Sequence, residues 1–260
     1  MRFLVLTKRS ILMLTMCGLL GISALFIGIS TVSTAVATAS LERVIPIYSV
    51  AADKKVCSIS FDAAWGNEQT DTLLNILDDK NVKTTFFLVG DWVKKYPKSV
   101  KKIDKKGHDV GNHSSTHPHM TELSPQQIQS ELQDCNNEIK KLTGKTPTMF
   151  RPPYGDYNNE VVNTTKAMDM YCVQWNIDSL DWKDPSCDQI IENCVKKLSP
   201  GSIILLHNGA KNTPEALPKL IDAIKQKGYS IVPISELIPK GDYTTDVQGK
   251  MQLKTQAEQN

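Results

Sequence analysis

The segment HSSTH at residues 113–117 places two histidines four positions apart. If this segment turns helically, both imidazoles lie on one face and can reach the same metal ion. The second position of the motif is Ser114 rather than glutamate, which excludes the HExxH pattern of metalloproteases. The spacing alone is only moderately specific, because two exposed or helix-capping histidines would show it too.

Two further segments carry groups suited to acid–base chemistry. FRPPYG at residues 150–155 joins the permanent cation of Arg151 to two prolines of fixed φ, which makes a stiff loop able to orient a carboxylate and hold an oxyanion. IILLH at residues 203–207 sets His207 at the end of an apolar run, where a carboxylate such as Asp181 can tune its pKa. Taken alone, the first segment is more typical of a rigid turn with a surface arginine, and the second of a structural histidine.

Short β-rich runs alternate with longer helical patterns along most of the chain. Ser124 followed by Pro125 predicts the start of a helix, and Gly144 predicts its end. The remaining helices are predicted at residues 68–79 and 93–106, and strands at residues 56–61, 84–89, 108–112, 148–150, 170–175, 202–206 and 230–233. The alternation indicates an α/β fold, either a barrel or an open doubly wound sheet.

Polar side chains follow several of these predicted strands. In either α/β architecture the functional groups gather at the carboxyl ends of parallel strands. The residues in such positions are Asp62, His113, Arg151, Asp178 with Asp181, and His207. Their number favours a shared site at one edge of the sheet.

These segments occur in an order that resembles the polysaccharide deacetylases of NodB-homology type, carbohydrate esterase family four, and within it the PdaB-like sporulation branch. The resemblance rests on SFDAAWG, HSSTH, RPPYG, DSLDW and LLH and covers roughly residues 55–238. It implies a distorted (β/α) barrel of seven or eight strands. It also implies a hydrolase that removes N-acetyl groups from amino sugars of peptidoglycan or a related cell-wall glycan, with a role in sporulation.

The resemblance assigns residues to two tasks, general-base catalysis and metal binding. Asp62 would be the general base, Arg151 would orient it, and His113 with His117 would bind a divalent metal, in this family usually zinc. The chain departs from the family at Ala63, which stands where most members have a second aspartate as metal ligand. Catalytic zinc normally takes three protein ligands, and the sequence supplies two.

The resemblance also implies an acid and a substrate pocket. His207 would protonate the leaving amine, and Asp181 would tune His207. The backbone amide of Tyr154 would help hold the oxyanion, while Trp182 and Leu205 would line the acetyl pocket.

Several ways of completing the metal site remain open. Asp62 could shift to ligate, His119 could swing in, or water and a substrate oxygen could fill the gap. Otherwise the chain is a non-catalytic, membrane-tethered descendant that only binds glycan, and an O-acetyl esterase on the same scaffold is a further alternative. We expect an active or weakly active enzyme, because the base, its orienting arginine and the acid all remain.

The two ends of the chain differ from its middle. Lys8 and Arg9 precede an apolar run at residues 11–29, which predicts a signal peptide or membrane anchor within residues 1–38 and an extracytoplasmic location, membrane-anchored or secreted. Residues 39–54 are predicted to be a stalk, residues 55–239 the deacetylase domain, and residues 240–260 a polar, disordered tail.

The balance of acidic and basic residues indicates which classes of molecule the protein is expected to bind. The 260 residues contain 30 Lys+Arg and 28 Asp+Glu, a net charge of +2, without a basic cluster interleaved with aromatic residues. Nucleic acid is therefore not an expected partner. The expected partners are a cell-wall polysaccharide as substrate and, through the N-terminal segment, the membrane.

Overall fold

The structure is a computed structural model that describes residues 43–254. Its central strand, Val56–Ala63, is buried on both faces, as is usual for a strand inside a parallel sheet. Cys57, Ile59, Phe61 and Ala63 pack into the larger hydrophobic core cluster. The intervening polar side chains face the other side of the strand, where Asp62 lines a cavity.

Eleven strands form one curled sheet within the described residues. The strands are β1 Ser49–Val50, β2 Val56–Ala63, β3 Thr85–Leu88, β4 Asp109–Asn112, β5 Met149–Phe150, β6 Tyr171–Cys172, β7 Ile177–Asp178, β8 Ser202–His207, β9 Ser230–Ile231, β10 Tyr243–Thr245 and β11 Lys250–Leu253. Their order is β10-β11-β1-β8-β2-β3-β4-β5-β6, with β7 paired to β8 and β9 paired to β2. The pairs from β8 through β6 are parallel, so their carboxyl ends meet at one edge.

Helices pack around this sheet between the strands. They are α1 Thr70–Asp79, α2 Gly90–Lys95, α3 Pro97–Lys105, α4 Pro125–Thr143, α5 Asn159–Ala167, α6 Cys187–Val195, α7 Thr213–Gln226 and α8 Ile234–Leu237. The predicted start and end of α4 are confirmed: Ser124 and Gln127 form a capping box, and Gly144 ends the helix with φ of 74°. The single helix predicted over residues 93–106 is wrong, because the chain breaks before Pro97 into α2 and α3.

The sheet curls until its two ends nearly meet. The Ile47 amide donates to the Cys172 carbonyl at 2.9 Å, and the Gln174 amide donates to the Ile47 carbonyl at 2.7 Å. This single bridge between Ile47 and Val173, rather than a ladder, joins β6 to the segment that continues into β1. The architecture is therefore an α/β fold whose curled sheet forms a half-barrel, which agrees with the expected distorted (β/α) barrel in fold class and curvature.

Two predicted boundaries of the domain are wrong. The predicted stalk, residues 39–54, includes β1, and both Ile47 and Val50 are buried core residues. The predicted disordered tail, residues 240–260, includes β10 and β11, and Met251 of β11 is fully buried. The predicted tail has few large apolar residues, but it is ordered because β11 pairs with β1 on one side and with β10 on the other.

The predicted signal or anchor, residues 1–38, lies outside the described residues. None of the helices within residues 43–254 has the length and apolar character that a bilayer crossing needs.

Candidate active site

A cavity of about 390 Å³ opens at the carboxyl ends of the parallel strands. Asp62 and His207 are direct neighbours there, because the register of β2 and β8 pairs them at the strand ends. The cavity is lined by Asp62, Ala64, Trp65, His113, His117, Tyr154, Trp175, Asp178, Trp182, Leu205 and His207. The expected convergence of these strand-end residues is therefore what the structure shows.

Asp62 forms a buried ion pair with Arg151. The guanidinium Nη1 donates to Asp62 Oδ1 at 2.7 Å, and Nη2 donates to the Ser60 hydroxyl at 2.9 Å and to the Gln174 carbonyl at 3.2 Å. The guanidinium also lies 4.1 Å from the ring centre of Phe87. Arg151 is thus fully buried and held on several sides, so it fixes the orientation of the Asp62 carboxylate.

The surroundings of Asp62 keep its carboxylate charged. Burial acts to raise the pKa of Asp62, but the positive charge of Arg151, with contributions from His113 and His207, outweighs burial and lowers that pKa below its ordinary value. A carboxylate that is ionised at neutral pH and lies beside a cavity can accept a proton from a water molecule.

His207 forms the second buried pair, with Asp181. His207 Nδ1 donates to Asp181 Oδ1 at 2.7 Å, which leaves the other ring nitrogen for a group in the cavity. Asp181 Oδ2 accepts from the His207 amide at 2.8 Å and from the Thr213 hydroxyl at 2.7 Å. Asp181 is therefore fully buried yet hydrogen-bonded at both oxygens.

Asp181 changes the proton affinity of His207. Burial acts to lower the pKa of His207, but the hydrogen bond and charge of Asp181 outweigh it and raise that pKa above its ordinary value. An imidazole with a raised pKa near neutral pH is suited to donate a proton to a leaving amine.

His113 is oriented by a backbone hydrogen bond. Its Nδ1 donates to the Arg151 carbonyl at 2.7 Å, which turns Nε2 toward Asp62, whose Oδ2 lies 3.5 Å away. Burial lowers the pKa of His113. The ring is therefore neutral at physiological pH, and Nε2 carries a lone pair, as a metal ligand requires.

The two histidines of HSSTH meet through a turn that is not helical, contrary to the expectation. Ser114 and His117 have φ of 66° and 63°, and the Ser114 hydroxyl accepts from the His117 amide at 2.9 Å. Glu131 accepts from the amides of Ser115 and Thr116, both at 2.8 Å. The turn brings the rings of His113 and His117 to 4.9 Å between their centres.

His117 offers a second neutral imidazole. Burial, with a contribution from the neighbouring His113, lowers the pKa of His117 to about 4. Two neutral imidazoles this close are a fitting start for a zinc site. Within residues 43–254, however, no group of three or more His, Cys, Asp or Glu side chains is arranged to hold a metal ion.

Neither of the side chains considered as a third ligand takes that place. Asp62 is bound by Arg151 through Oδ1, and its Oδ2 lies 3.5 Å from His113 Nε2, but it does not form a three-ligand group with the two histidines. His119 stacks on the ring of Tyr154 at 4.4 Å, with its Nδ1 3.6 Å from the Asp156 carboxylate. The Tyr154 ring also contacts His117, at 4.5 Å, and so lies against both histidines. The residues present fall one protein ligand short of a catalytic zinc site.

The remaining predicted residues all reach the cavity. Leu205 lies on β8, Trp182 is half exposed at the rim, and Tyr154 is exposed. Tyr154 has φ of 59° and Leu180, just before Asp181, has φ of 58°. Left-handed backbone at such bulky residues is costly, and it concentrates at functional sites.

Sequence reasoning gave no role to several residues of the site. The Ser60 hydroxyl and the Gln174 backbone carbonyl accept from Arg151, and the Thr213 hydroxyl donates to Asp181. No local pattern marks these residues, because their partners are distant in the chain. Trp65, by contrast, lies inside the SFDAAWG motif and could have been noticed as a tryptophan directly beyond a buried strand.

A family model described as polysaccharide deacetylase matches residues 49–173. The uncharacterized protein YlxY of Bacillus subtilis is 37% identical over 74% of this chain and 60% of that protein. The peptidoglycan-N-acetylmuramic acid deacetylase PdaA of Bacillus subtilis is 34% identical over 71% of this chain and 72% of that protein. A peptidoglycan-N-acetylglucosamine deacetylase of Bacillus cereus is 32% identical over 71% of this chain and 69% of that protein.

Solved structures that are similar to this chain come from the same family as these relatives. A CE4 family pseudoenzyme from Bacillus anthracis is 38% identical, with a TM-score of 0.72 over 74% of this chain and 68% of that chain. A mutant of that pseudoenzyme with restored enzymatic activity is 40% identical, with a TM-score of 0.72 over 74% of this chain and 70% of that chain. The resemblance to the polysaccharide deacetylases that the five motifs predicted is confirmed, whereas its narrower assignment to the PdaB-like branch stays a prediction.

Proposed function

Since the chain belongs to the polysaccharide deacetylase family, we propose that its cavity binds N-acetylated amino sugars of peptidoglycan or a related cell-wall glycan and hydrolyses their acetamido group. One observation carries the proposal. Asp62 and His207 are neighbours at the ends of adjacent strands and line the same cavity, and each is held by a buried partner, Arg151 or Asp181, so that a base and an acid can act on one amide.

The groups suit the proton transfers of amide hydrolysis. Asp62 takes a proton from a water molecule, whose oxygen bonds to the acetyl carbon. The carbonyl oxygen becomes an oxyanion, which the backbone amide of Tyr154 helps to hold. His207 gives its proton to the nitrogen as the C–N bond breaks, so acetate and a free amino sugar leave, and the proton on Asp62 then passes to solvent.

His113 and His117 offer fewer ligands than a catalytic zinc site normally has. We propose that a divalent cation, zinc in the first place, is held by His113 and His117 as its only protein ligands and therefore weakly.

A specific observation favours a second candidate function. The incomplete ligand set, together with the similarity to a CE4 family pseudoenzyme, suits a protein that keeps the glycan cavity but not turnover. In that case the domain is a membrane-tethered glycan-binding module.

Acetate release separates the two candidates. N-acetylglucosamine oligomers and purified glycan strands are incubated with the protein in chelator and in excess zinc, with Asp62→Asn as the matched inactive control. Acetate above that control supports the hydrolase, whereas binding of oligomers without acetate supports the binding module. O-acetylated glycan run in parallel tests the esterase alternative.

The cellular setting is a separate proposal. The apolar run at residues 11–29 motivates export of the domain, as a membrane-anchored or secreted protein, and the PdaB-like resemblance motivates a role in spore formation. Fractionation of cells, with N-terminal sequencing of the exported protein, tests the first. Spore yield and spore glycan acetylation in a deletion strain test the second.

A further inference from the structure

Exposed lysines gather at the edge of the sheet that lies opposite the candidate active site. Two of them shortly precede each of three strands, β2, β8 and β9. Because β2 pairs in parallel with both β8 and β9, the amino ends of these strands lie side by side. We call the six residues the lysine face: Lys54 and Lys55 before β2, Lys196 and Lys197 before β8, and Lys225 and Lys227 before β9.

Contacts between the three segments show that the lysine face is one continuous surface. Lys55 Nζ donates to the Lys227 carbonyl at 3.1 Å, and Lys196 and Lys227 line the same groove. The Gly201 amide, in the turn after the lysines that precede β8, donates to the Val56 carbonyl at 2.8 Å. Segments that are distant in the chain thus bring their charges together, so the surface leaves no basic cluster in the sequence.

Most of these positive charges have no carboxylate beside them. Within residues 43–254, Lys196 alone of the six forms an ion pair, with Glu192 at 3.7 Å. The other carboxylates of this surface, Asp53 and Asp188, pair with none of the six. Lys225 Nζ donates instead to a backbone carbonyl at 2.7 Å. A carbonyl holds an ammonium group in place and leaves its charge uncompensated.

Stabilisation of helix ends explains only half of the lysine face. Lys196 and Lys227 directly follow α6 and α7, and Lys225 lies in the last turn of α7, where a positive charge stabilises the C-terminus of a helix. Lys54 and Lys55 belong to no helix, and Lys197 lies beyond the end of α6. These last three lysines therefore need another explanation.

The kind of side chain indicates the kind of partner. All six cations are lysines, whose ammonium groups act as point charges, whereas arginine suits a carboxylate or phosphate that is held in one fixed geometry. Point charges spread over three strand entries suit anionic groups that repeat along a flexible chain. We propose that the lysine face binds a linear phosphodiester polymer of the cell envelope, the compartment that the predicted export of the domain leads to.

A membrane surface and a nucleic acid fit the lysine face less well. Surfaces that bind anionic membranes combine basic side chains with exposed apolar ones. Among residues 43–254, the exposed large apolar side chains line the cavity or belong to the β10–β11 hairpin: Trp65, Tyr154, Trp182, Val247 and Leu253. A single-stranded nucleic acid stacks its bases on aromatic rings. Tyr229, close to Lys227 in the chain, is half-buried and has the Lys55 ammonium over its ring, 5.8 Å from the ring centre.

The cavity stays open when the lysine face is occupied. β2 runs from Val56 beside the lysine face to Ala63 beside the cavity, a distance of about 23 Å at ~3.3 Å per residue. A polymer bound at one edge of the sheet therefore leaves the other edge accessible to a glycan. The lysine face would retain the protein in the envelope without competing for the cavity.

Titration calorimetry with inorganic polyphosphate, at salt concentrations between about 50 and 200 mM, tests the inference. The face variant carries Lys54→Gln, Lys197→Gln and Lys227→Gln. A matched control variant loses the same charge from exposed lysines that precede none of the three strands, through Lys98→Gln, Lys101→Gln and Lys211→Gln. A third protein carries arginine in place of the three lysines changed in the face variant, which keeps the charge.

The parent is expected to bind polyphosphate with an affinity that falls steeply with salt, because each neutralised phosphate releases counterions. The face variant should bind at least about tenfold more weakly at about 50 mM salt, and its slope of log affinity against log salt should be shallower by about two. The control variant should stay within about twofold of the parent, because distant charges are screened. The arginine variant should bind as the parent does.

Three results overturn the inference. The first is no binding of polyphosphate by the parent at about 50 mM salt. The second is an equal loss of affinity in the face and control variants. The third is a face variant that binds polyphosphate as the parent does but has lost binding to phosphatidylglycerol vesicles, which would identify a membrane-binding surface instead. None of these measurements depends on acetate release, so the inference and the proposed function succeed or fail separately.

Discussion

The candidate active site has an acid–base side and a metal side, and the two differ in how many of their functional side chains have the partners they need. On the acid–base side, Asp62 and Asp181 each have a charged partner at 2.7 Å, and further side-chain and backbone groups hold those pairs. On the metal side, His113 and His117 are close and neutral but lack a third ligand among residues 43–254. The fold can therefore maintain the proton-transfer groups independently of the metal ligands.

The reason lies in what each half contributes to folding. A buried charge is costly unless it is paired, so the loss of one partner on the acid–base side should destabilise the domain. Neutral imidazoles cost little when no metal is bound, so the loss of a third ligand does not threaten the fold. We therefore expect substitutions on the acid–base side to change stability and activity strongly, and some substitutions on the metal side to have little effect.

The largest effect is expected for Asp62→Asn. This change keeps the shape but leaves the fully buried Arg151 without a negative partner, which should lower the free energy of unfolding by ~3–5 kcal/mol. Acetate release should fall about 10²–10⁴-fold, because the base is lost. Chemical denaturation and an acetate assay measure the two effects.

A double variant sharpens this prediction. Asp62→Asn combined with Arg151→Met removes both charges, so its loss of stability should be smaller than the sum of the two single losses. Purely additive losses would mean that the ion pair does not couple the two residues, and that the acid–base side is not held together as described.

A smaller effect is expected for Asp181→Asn. Without the carboxylate, burial should pull the pKa of His207 below its ordinary value, and acetate release should fall about 10²-fold. NMR titration of the His207 ring follows the pKa directly, with Asp178→Asn as a control for a cavity carboxylate that lies farther from the ring.

The same change should alter how stability depends on pH. In the parent the raised pKa of His207 contributes stability that is present below about pH 6.5 and lost as the pH rises through the folded-state pKa. In Asp181→Asn that contribution should disappear. A His207 pKa that stays raised in the variant would show that some other group tunes the imidazole.

The smallest effect is expected for His119→Ala. His119 stacks on Tyr154 rather than joining His113 and His117, so its removal should change zinc affinity less than about twofold. His117→Ala, the matched comparison, should weaken zinc binding by at least about tenfold. Equal losses in the two variants would identify His119 as a ligand and contradict the division between the halves.

The acid–base residues were predictable from the sequence because each one ends a strand. Asp62, Arg151 and His207 follow apolar β runs, and parallel strands bring their carboxyl ends to one edge. The conformation of the turn that joins His113 to His117 could not be predicted from the sequence. It depends on left-handed backbone at Ser114 and on hydrogen bonds to Glu131, which is distant in the chain.

The edges of the domain were predicted least well. Residues 243–253 contain few large apolar side chains, so their composition indicated a tail, whereas the predicted stalk overlooked the apolar side chains of residues 44–50. Their structure comes from mutual pairing of β1 and β11 and from burial of Ile47 and Met251. Contacts between segments some two hundred residues apart leave no local signal in the sequence.

Zinc titration into metal-free parent, Ala63→Asp and Ala63→Asn proteins tests the central claim, that the metal half lacks one ligand while the acid–base half is complete. Ala63 is the last residue of β2 and is fully buried against the core cluster, so Ala63→Asp should lower the melting temperature of the metal-free protein. To bind zinc, the new carboxylate has to turn from the core side of the strand end toward His113 and His117. We predict that it raises zinc affinity by about 10–100-fold and that zinc restores its melting temperature, whereas the neutral Ala63→Asn does neither. Equal zinc affinities in all three proteins would contradict the account, because another side chain would then already supply the third ligand.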